Sequence, residues 1–260
     1  MTDSALVRYE RAGHIATITY NRPEKLNAIN GAMRAALNNA WNEFLADEAA
    51  WVGIVTGAGK AFCVGADLTE GGSIGEFPGT FFEMPTINSF ESGLEVWKPT
   101  IAAVGGYCLG YGLTAASACD FVIAADDAVF AMPEVRIGTP TIVGAIRLPR
   151  RITNFQHALE LLLTGERIDA ARAVEIGLAS RVVPRSELQN AALGLATRLC
   201  QGAPLAVRAV KEMAYRGQEM AWPDAVRFGE TLRRFVANTD DAKEGGQAFR
   251  ERREPKWLGR

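Results

Sequence analysis

Only two histidines occur in the 260 residues, His14 and His157. The four cysteines, Cys63, Cys108, Cys119 and Cys200, are scattered and form no C-x-x-C pair. That composition supplies neither a zinc ligand set nor a disulfide framework, so the thiols read as buried and free, and no metal is expected. No stretch approaches the ~20 uncharged residues that a membrane span requires. The first twenty residues, "MTDSALVRYERAGHIATITY", show no basic region leading into an apolar run, so no export signal is expected. Charge of one sign is also missing: 28 Lys and Arg against 30 Asp and Glu give a net charge of −2, spread along the chain. No broad positive field is left for a nucleic-acid backbone. These absences lead to the expectation of a cytoplasmic protein with neither nucleic acid nor membrane as partner.

What is present is informative mainly in its order. Apolar residues make up 48% and charged residues 22%, the balance of a globular chain that can bury a core unaided. "VRYERAGHIATITY" alternates β-branched and aromatic residues around Ala12-Gly13 and predicts a hairpin. Pro23, in "NRPEKLNAIN", stops the second strand. Met33, Leu37, Trp41, Phe44 and Leu45 then recur at helical spacing over residues 32–46. "WVGIVTG" predicts a short buried strand closed by glycine. Residues 71–86 carry four glycines and two prolines, which predicts a long irregular loop.

"KPTIAAVGG" predicts another buried strand. The turn "GYGLTA", Gly110 to Ala115, follows it, then a short helix of small residues and the strand-like "DFVIAADDAVFAMPE". Strand, glycine turn, helix, strand is the rhythm of an α/β sheet covered by helices. After about Thr141 the patterns are mostly helical, with Ser186 as an expected N-cap and glycines such as Gly177 as expected C-caps. The tail "RERREPKWLGR" sets five basic residues against two acidic ones and reads as solvated.

Three patterns suggest other chemistry. "GYGLTA" fits the dinucleotide fingerprint G-x-G-x-x-G/A, with Asp126 near the position of a ribose-binding acid. The helix between Leu113 and Cys119 is too short to cross a sheet comfortably, which argues against nicotinamide binding. "GGSIG", residues 71–75, fits the nucleophile elbow of serine hydrolases at Ser73, but a glycine and proline loop follows instead of a helix. His14 in the hairpin and His157 on an apolar helix lack recognisable partners and read as structural.

Taken together, "NRPEKLNAIN", "AFCVGADL", "KPTIAAVGGYCLGYGLTAASACD", "FAMPEVRIG" and "LLLTGERIDAARAVEIGLASRVVP" resemble the enoyl-CoA hydratase/isomerase (crotonase) superfamily. The resemblance runs over nearly the whole chain in the family's order, and "EGGQAFRERREPKW" is similar to the family's C-terminal helix. It implies an α/β fold of the ClpP/crotonase-like kind. Residues 1–195 would form the core of repeated β-β-α units and residues 196–260 a C-terminal helical trimerisation region, in a homotrimer or homohexamer. It also implies an acyl-CoA substrate, with CoA as part of the substrate and no separate cofactor.

The chemistry implied is stabilisation of a thioester enolate by two backbone N–H groups, whose positions fall on Ala66 in "GAD" and Tyr111 in "GYG". Small residues let the main chain approach a ligand, and a helix N-terminus offers unpaired donors with partial positive charge. Each such donor is worth on the order of ~3 kcal/mol, as judged by its removal in other enzymes. Many family members have glycine where Tyr111 stands, and two readings of its phenol remain open: it shapes the acyl pocket, or it packs in the core. The family binds CoA along "RPEKLNA" and "CVGADL", which implies Lys25, Leu26, Ala28, Val64, Asp67 and Leu68 as neighbours of CoA. Lys25 reads equally as a phosphate contact or a solvated cation, and Asp67 also reads as a structural cap.

Hydration in the family uses two glutamates, dividing acid and base roles between them. The second falls on Glu134. The first falls on Thr114, which can hydrogen-bond a water but cannot act as a base near neutral pH. Because hydration is common in the superfamily, the leading expectation is an enoyl-CoA hydratase with Glu134 as acid/base and Ala66 and Tyr111 as oxyanion hole, although the residues themselves lean toward one-carboxylate chemistry. A Δ3,Δ2-enoyl-CoA isomerase or an acyl-CoA dehydratase working with one carboxylate is the alternative, and a non-catalytic acyl-CoA-binding protein is the alternative of another class. Glu70, Glu76 and Glu83, in or beside the irregular loop, are candidates for the missing carboxylate, although loop glutamates are usually solvated.

Overall fold

The computed structural model describes residues 5–70 and 89–260. Val7–Ala12 (β1) and Ile15–Tyr20 (β2) form the expected antiparallel hairpin, with Ala12 facing Ile15 across the turn. Pro23 opens a single 3-10 turn, Pro23–Lys25, and the helix Gly31–Ala46 (α1) begins after Asn30, whose side chain accepts the Met33 N–H. Its stripe of Met33, Leu37, Trp41 and Phe44 is buried, as the helical spacing requires. Lys98, 4% exposed, closes the other end of α1. Its Nζ donates to the carbonyls of Phe44 at 2.5 Å and Asp47 at 2.7 Å, oxygens that a helix C-terminus leaves without partners.

Strands then alternate between two sheets. Val52–Gly57 (β3) is followed by Ala61–Cys63 (β4), and Thr100–Val104 (β5) by Tyr107–Leu109 (β6), the helix Tyr111–Ala118 (α2), Phe121–Ala125 (β7) and Val129–Ala131 (β8). Helices Ile142–Arg151 (α3), Phe155–Thr164 (α4) and Ala170–Glu175 (α5) enclose the two-residue strand Ile168–Asp169 (β9), and Arg181–Val183 (β10) comes next. The chain ends in four helices, Leu188–Leu199 (α6), Pro204–Arg216 (α7), Trp222–Ala237 (α8) and Asp240–Glu251 (α9). The larger sheet has the order β1-β2-β3-β5-β7-β10 and the smaller β4-β6-β8-β9. Strands β3, β5 and β7 of the large sheet thus each hand the chain to a strand of the small one, β4, β6 and β8, which is the repeated β-β-α plan.

The central strands β3, β5 and β7 of the large sheet are buried on both faces, so they carry mostly apolar residues rather than an alternation. Ala102 and Val104 of β5 and Val122 and Ala124 of β7 face a core shared with α1, α2 and α4. Their neighbours Ile101, Ala103, Ile123 and Ala125 face Leu188, Ala192, Leu195 and Ala196 of α6. A boundary between residues 195 and 196 would cut α6, whose apolar stripe belongs to this second layer of the core.

Three expectations need correction. The short helix α2 does take part in a crossover: β5 and β7 are parallel neighbours, and β6 together with α2 spans the distance. Ser186 is not an N-cap, since Arg185–Glu187 forms a 3-10 turn and α6 starts behind Glu187 without a side-chain cap. The basic tail is not solvated along its length. Buried Asp241 accepts the N–H groups of Leu258 at 2.7 Å and Gly259 at 2.9 Å, and the Trp257 indole donates to the Gln201 carbonyl at 2.8 Å. No described helix is long and apolar enough to cross a membrane.

Candidate active site

The small sheet delivers a turn to the start of α2. Gly110, at φ +53° and ψ −120°, takes a conformation open essentially to glycine alone. Its N–H donates to the Ala131 carbonyl at 2.9 Å, which ties the turn to β8. Tyr111 is the first residue of α2, so its N–H has no acceptor within the helix. A second loop comes alongside at Gly65, φ +99°, where a Cβ would lie 3.5 Å from the Tyr111 nitrogen.

Ala66 follows. It forms a parallel bridge with Ile29, made by Ile29 N–H to the Gly65 carbonyl at 2.8 Å and Asp67 N–H to the Ile29 carbonyl at 3.0 Å. Those bonds use the groups on either side of Ala66, so its own N–H turns to the other side. Neither the Ala66 nor the Tyr111 N–H donates to a backbone carbonyl among the described residues. Two unpaired amides from neighbouring loops suit an anionic oxygen.

Glu134 comes from the third element of the site, the 3-10 turn Pro133–Ile137 behind β8. A Cβ placed on Gly110 would lie 2.7 Å from Glu134 Oε1, so the carboxyl group rests on the glycine turn. Its Oε2 is buried and has no hydrogen-bond partner among the described residues. Burial raises the Glu134 pKa above the usual carboxylate value, because an ionised oxygen without water or donor is poorly stabilised. A carboxyl group placed in this way is suited to giving and taking a proton. Thr114, one turn into α2, is 4% exposed, and its hydroxyl donates to the Gly110 carbonyl at 3.3 Å.

The residues implied for CoA come from segments that run side by side. Val64 N–H donates to the Leu26 carbonyl at 3.3 Å, and the Ile29 to Ala66 bridge continues the pairing. Lys25 and Leu68 are exposed, Leu26 and Val64 are half-buried, and Ala28 is buried. Asp67 has a different employment. Its Oδ2 lies 2.6 Å from Arg22 Nη1 and its Oδ1 accepts the Thr69 N–H and hydroxyl, at 3.0 and 2.6 Å. The bonds from Thr69 and Arg22 hold this carboxyl well below the usual range. It therefore caps the 3-10 turn Leu68–Glu70 and pins the loop, as the structural reading has it. Asn27, at φ +59°, completes the frame: its side chain accepts the Arg22 N–H at 2.8 Å and donates to the Ala61 carbonyl at 2.8 Å. Nothing in the spacing of Arg22, Asn27 and Asp67 announces this network.

Glu91 is the other residue that the sequence reading passes over. It is 6% exposed and accepts the hydroxyls of Tyr111 and, at 2.5 Å, of Ser89. Tyr111 packs at the edge of the core, and its phenol pKa is raised, first by burial and then by Glu91. This placement agrees with the reading in which the ring packs in the core. Glu70 ends the 3-10 turn Leu68–Glu70, while Ser73, Glu76 and Glu83 lie outside the described residues. The histidines are structural: His14 stacks on Trp51 at 3.5 Å, and His157 Nδ1 meets the Arg172 guanidinium at 3.0 Å. All four cysteines are free. No cluster of three or more metal-ligating side chains occurs among the described residues.

Comparison with known proteins points to one family. A model of the enoyl-CoA hydratase/isomerase family matches residues 10–260. (E)-Benzylidenesuccinyl-CoA hydratase of Thauera aromatica is 36% identical over 255 residues, covering 97% of this chain and 99% of that protein. Carnitinyl-CoA dehydratase of Salmonella arizonae is 38% identical over 262 residues, covering 98% and 99%. The crystal structure of an enoyl-CoA hydratase from Mycobacterium marinum superposes with a TM-score of 0.89 at 34% identity, covering 99% of this chain and all of that one.

Proposed function

The chain belongs to the enoyl-CoA hydratase/isomerase family, and from that premise we propose that it adds water reversibly to the double bond of a 2-enoyl-CoA. The thioester oxygen accepts the Ala66 and Tyr111 N–H groups. Water attacks C3 while Glu134 takes one of its protons, and the electron pair of the C2–C3 double bond moves onto the thioester as an enolate. Glu134 then returns that proton to C2, the carbonyl re-forms and the carboxylate is restored. Water is consumed, and no cofactor is used beyond the CoA that the substrate carries. The buried Oε2 of Glu134, unpartnered beside the α2 turn, carries this reading and argues against a protein that merely binds acyl-CoA.

CoA is held along residues 25–28 and 64–68. Lys25, Leu26, Ala28, Val64 and Leu68 are its contacts, with Lys25 toward a phosphate, while Asp67 and Arg22 keep the loop in shape. Thr114 holds the attacking water. Having threonine where a second carboxylate is usual also favours a second reading, in which Glu134 removes a proton from C2 and delivers it to C4, or the reverse, as a Δ3,Δ2-isomerase. Loss of a hydroxyl in the dehydratase direction uses the same groups.

Self-association into a homotrimer or homohexamer is part of the proposal. No residue of α8 is buried, and Trp222, Val226 and Phe235 on it, with Phe249 on α9, are exposed apolar side chains of the kind that contacts between subunits cover. Four free thiols favour the reducing cytoplasm.

The test is to follow the conjugated thioester absorbance of crotonyl-CoA and, separately, of a 3-enoyl-CoA, with wild type and Glu134→Gln. Loss of absorbance from crotonyl-CoA that depends on Glu134 is the expected result. A gain from the 3-enoyl-CoA without hydration would replace the hydratase by the isomerase. Turnover that survives Glu134→Gln undiminished would overturn both.

A further inference from the structure

We infer that Glu91 is a positioning residue that holds the Tyr111 ring as the end wall of the acyl pocket, and that the substrates are consequently short-chain acyl thioesters. The inference rests on the acyl-CoA reading of the site and assigns it a substrate class.

The first step is direction. Helical side chains lean toward the N-terminus of their helix. Tyr111 opens α2, so its ring leans back over the turn that carries the unpaired N–H groups and not along the helix, and it reaches Glu91 and Arg34 there. A side chain on the very residue that contributes an oxyanion donor stands beside the thioester and takes space that glycine would leave to the acyl chain.

The second step is rigidity. The Tyr111 hydroxyl donates to Glu91 Oε1, a bond to an ionised acceptor of the stronger class. Glu91 is itself fixed on several sides. Ser89 donates to the same oxygen at 2.5 Å, and Arg147 Nη2 of α3 donates to the Glu91 carbonyl at 3.2 Å. The neighbouring Phe90 stacks on Trp41 of α1 with ring centroids 3.7 Å apart. The Arg34 guanidinium covers the Tyr111 ring at 5.4 Å from its centroid. The ring is thus held between Arg34 of α1 and Glu91, whose segment is tied in turn to α1 and α3, and burial together with Glu91 keeps its phenol protonated as a donor.

The third step is discrimination. A long alkyl tail could pass this wall only by displacing the ring. That would break the bond to Glu91 and leave a buried carboxylate facing methylenes, a strongly unfavourable contact. A short acyl group ends before the wall. Sites that leave a buried polar group unpaired reject the wrong ligand more strongly than apolar pockets, which discriminate by only about 10- to 200-fold.

Calorimetric titration with the saturated thioesters butyryl-CoA and decanoyl-CoA reads the wall without turnover. The wild type is expected to favour butyryl-CoA by about tenfold or more. Tyr111→Gly should raise the decanoyl-to-butyryl affinity ratio by about tenfold or more. Tyr111→Phe should raise it by a smaller factor because it removes the bond, and Glu91→Gln by a still smaller one because a neutral amide oxygen replaces the carboxylate acceptor. Tyr111→Phe keeps the ring volume and remains readable if Glu91→Gln fails to fold. Equal wild-type affinity for the two thioesters would overturn the inference, as would a ratio that Tyr111→Gly leaves unchanged. An unmoved ratio in Tyr111→Phe would remove the positioning role of Glu91. Absence of hydration with the chain-length ratio intact would count against the proposed reaction alone.

Discussion

The carboxyl group of Glu134 rests on the backbone of Gly110, so closely that a methyl group on that glycine would lie 2.7 Å from Oε1. This contact joins the two halves of the chemistry. The turn that frees the Tyr111 N–H for an oxyanion also seats the group that moves the proton, and both depend on one residue having no side chain. The positive end of α2 faces the same place, which favours negative charge on an enolate oxygen there.

Gly110→Ala is therefore expected to fail on two counts. Its φ of +53° with ψ −120° would strain alanine by about 1–3 kcal/mol, and the new methyl would push Glu134 away. Displacement of a reacting group by about 1 Å can lower the rate by ~10²-fold. Thermal melts and kcat on crotonyl-CoA check both. A variant that melts and turns over like the wild type would mean that the turn is not the seat of Glu134.

The rate should follow the ionisation of Glu134. The proposed step needs the carboxylate form to accept a proton from water, and burial raises the pKa of this group above its ordinary 4.5. Activity is accordingly lost as pH falls, through a limb displaced upward from the usual carboxylate range. Glu134→Gln should lower kcat by about 10²- to 10⁴-fold and remove that limb. A limb of unchanged position in the variant would assign the titration to another group.

The same shift has a consequence for stability, of opposite sense to its use in catalysis. Because the folded-state pKa lies above the unfolded one, folding favours the protonated form. This contribution is full below the unfolded value and is lost as pH rises through the folded value. Above its folded-state pKa the wild type carries an ionised carboxylate without a partner on Oε2, whereas Glu134→Gln is neutral. The variant is expected to melt higher than the wild type at about pH 8, and the difference should shrink toward about pH 4. Melting curves of both proteins at the two pH values decide it; a variant less stable at about pH 8 would mean that Oε2 is well solvated or paired.

How much of this could be read from the sequence depended on how local the cause was. The hairpin, the stripe of α1 and the glycine turn before α2 follow from spacing within a few residues, and Glu134 announces itself by its place in "MPE" once the family pattern is seen. Asp67 gives no such notice of Arg22, which stands 45 positions earlier. Glu91 meets Tyr111 only because the 89–91 segment is stacked on α1. The tail is the plainest case. Its charges suggested solvent, yet its anchors are backbone amides and one indole, groups whose partners, Asp241 and Gln201, are chosen by the fold and leave no periodic trace. α2 alone reads as too short for a crossover because β6, which shares the connection with it, gives no separate signal after the preceding strand.

Thr114 separates the two readings of the reaction. Hydration needs a water held against C3, and the Thr114 hydroxyl, buried one turn beyond Gly110, is the group offered for it. Isomerisation moves one proton between C2 and C4 on Glu134 and needs no water. Thr114→Val preserves shape and removes the hydroxyl, at the cost of one hydrogen bond of about 0.5–1.5 kcal/mol. That corresponds to a fall of roughly 2- to 12-fold in kcat for crotonyl-CoA hydration, while conversion of a 3-enoyl-CoA should be unaffected. Equal losses in both reactions would mean that Thr114 supports the turn through its bond to the Gly110 carbonyl and does not hold the water, and the attacking water would then have to be oriented by Glu134 itself.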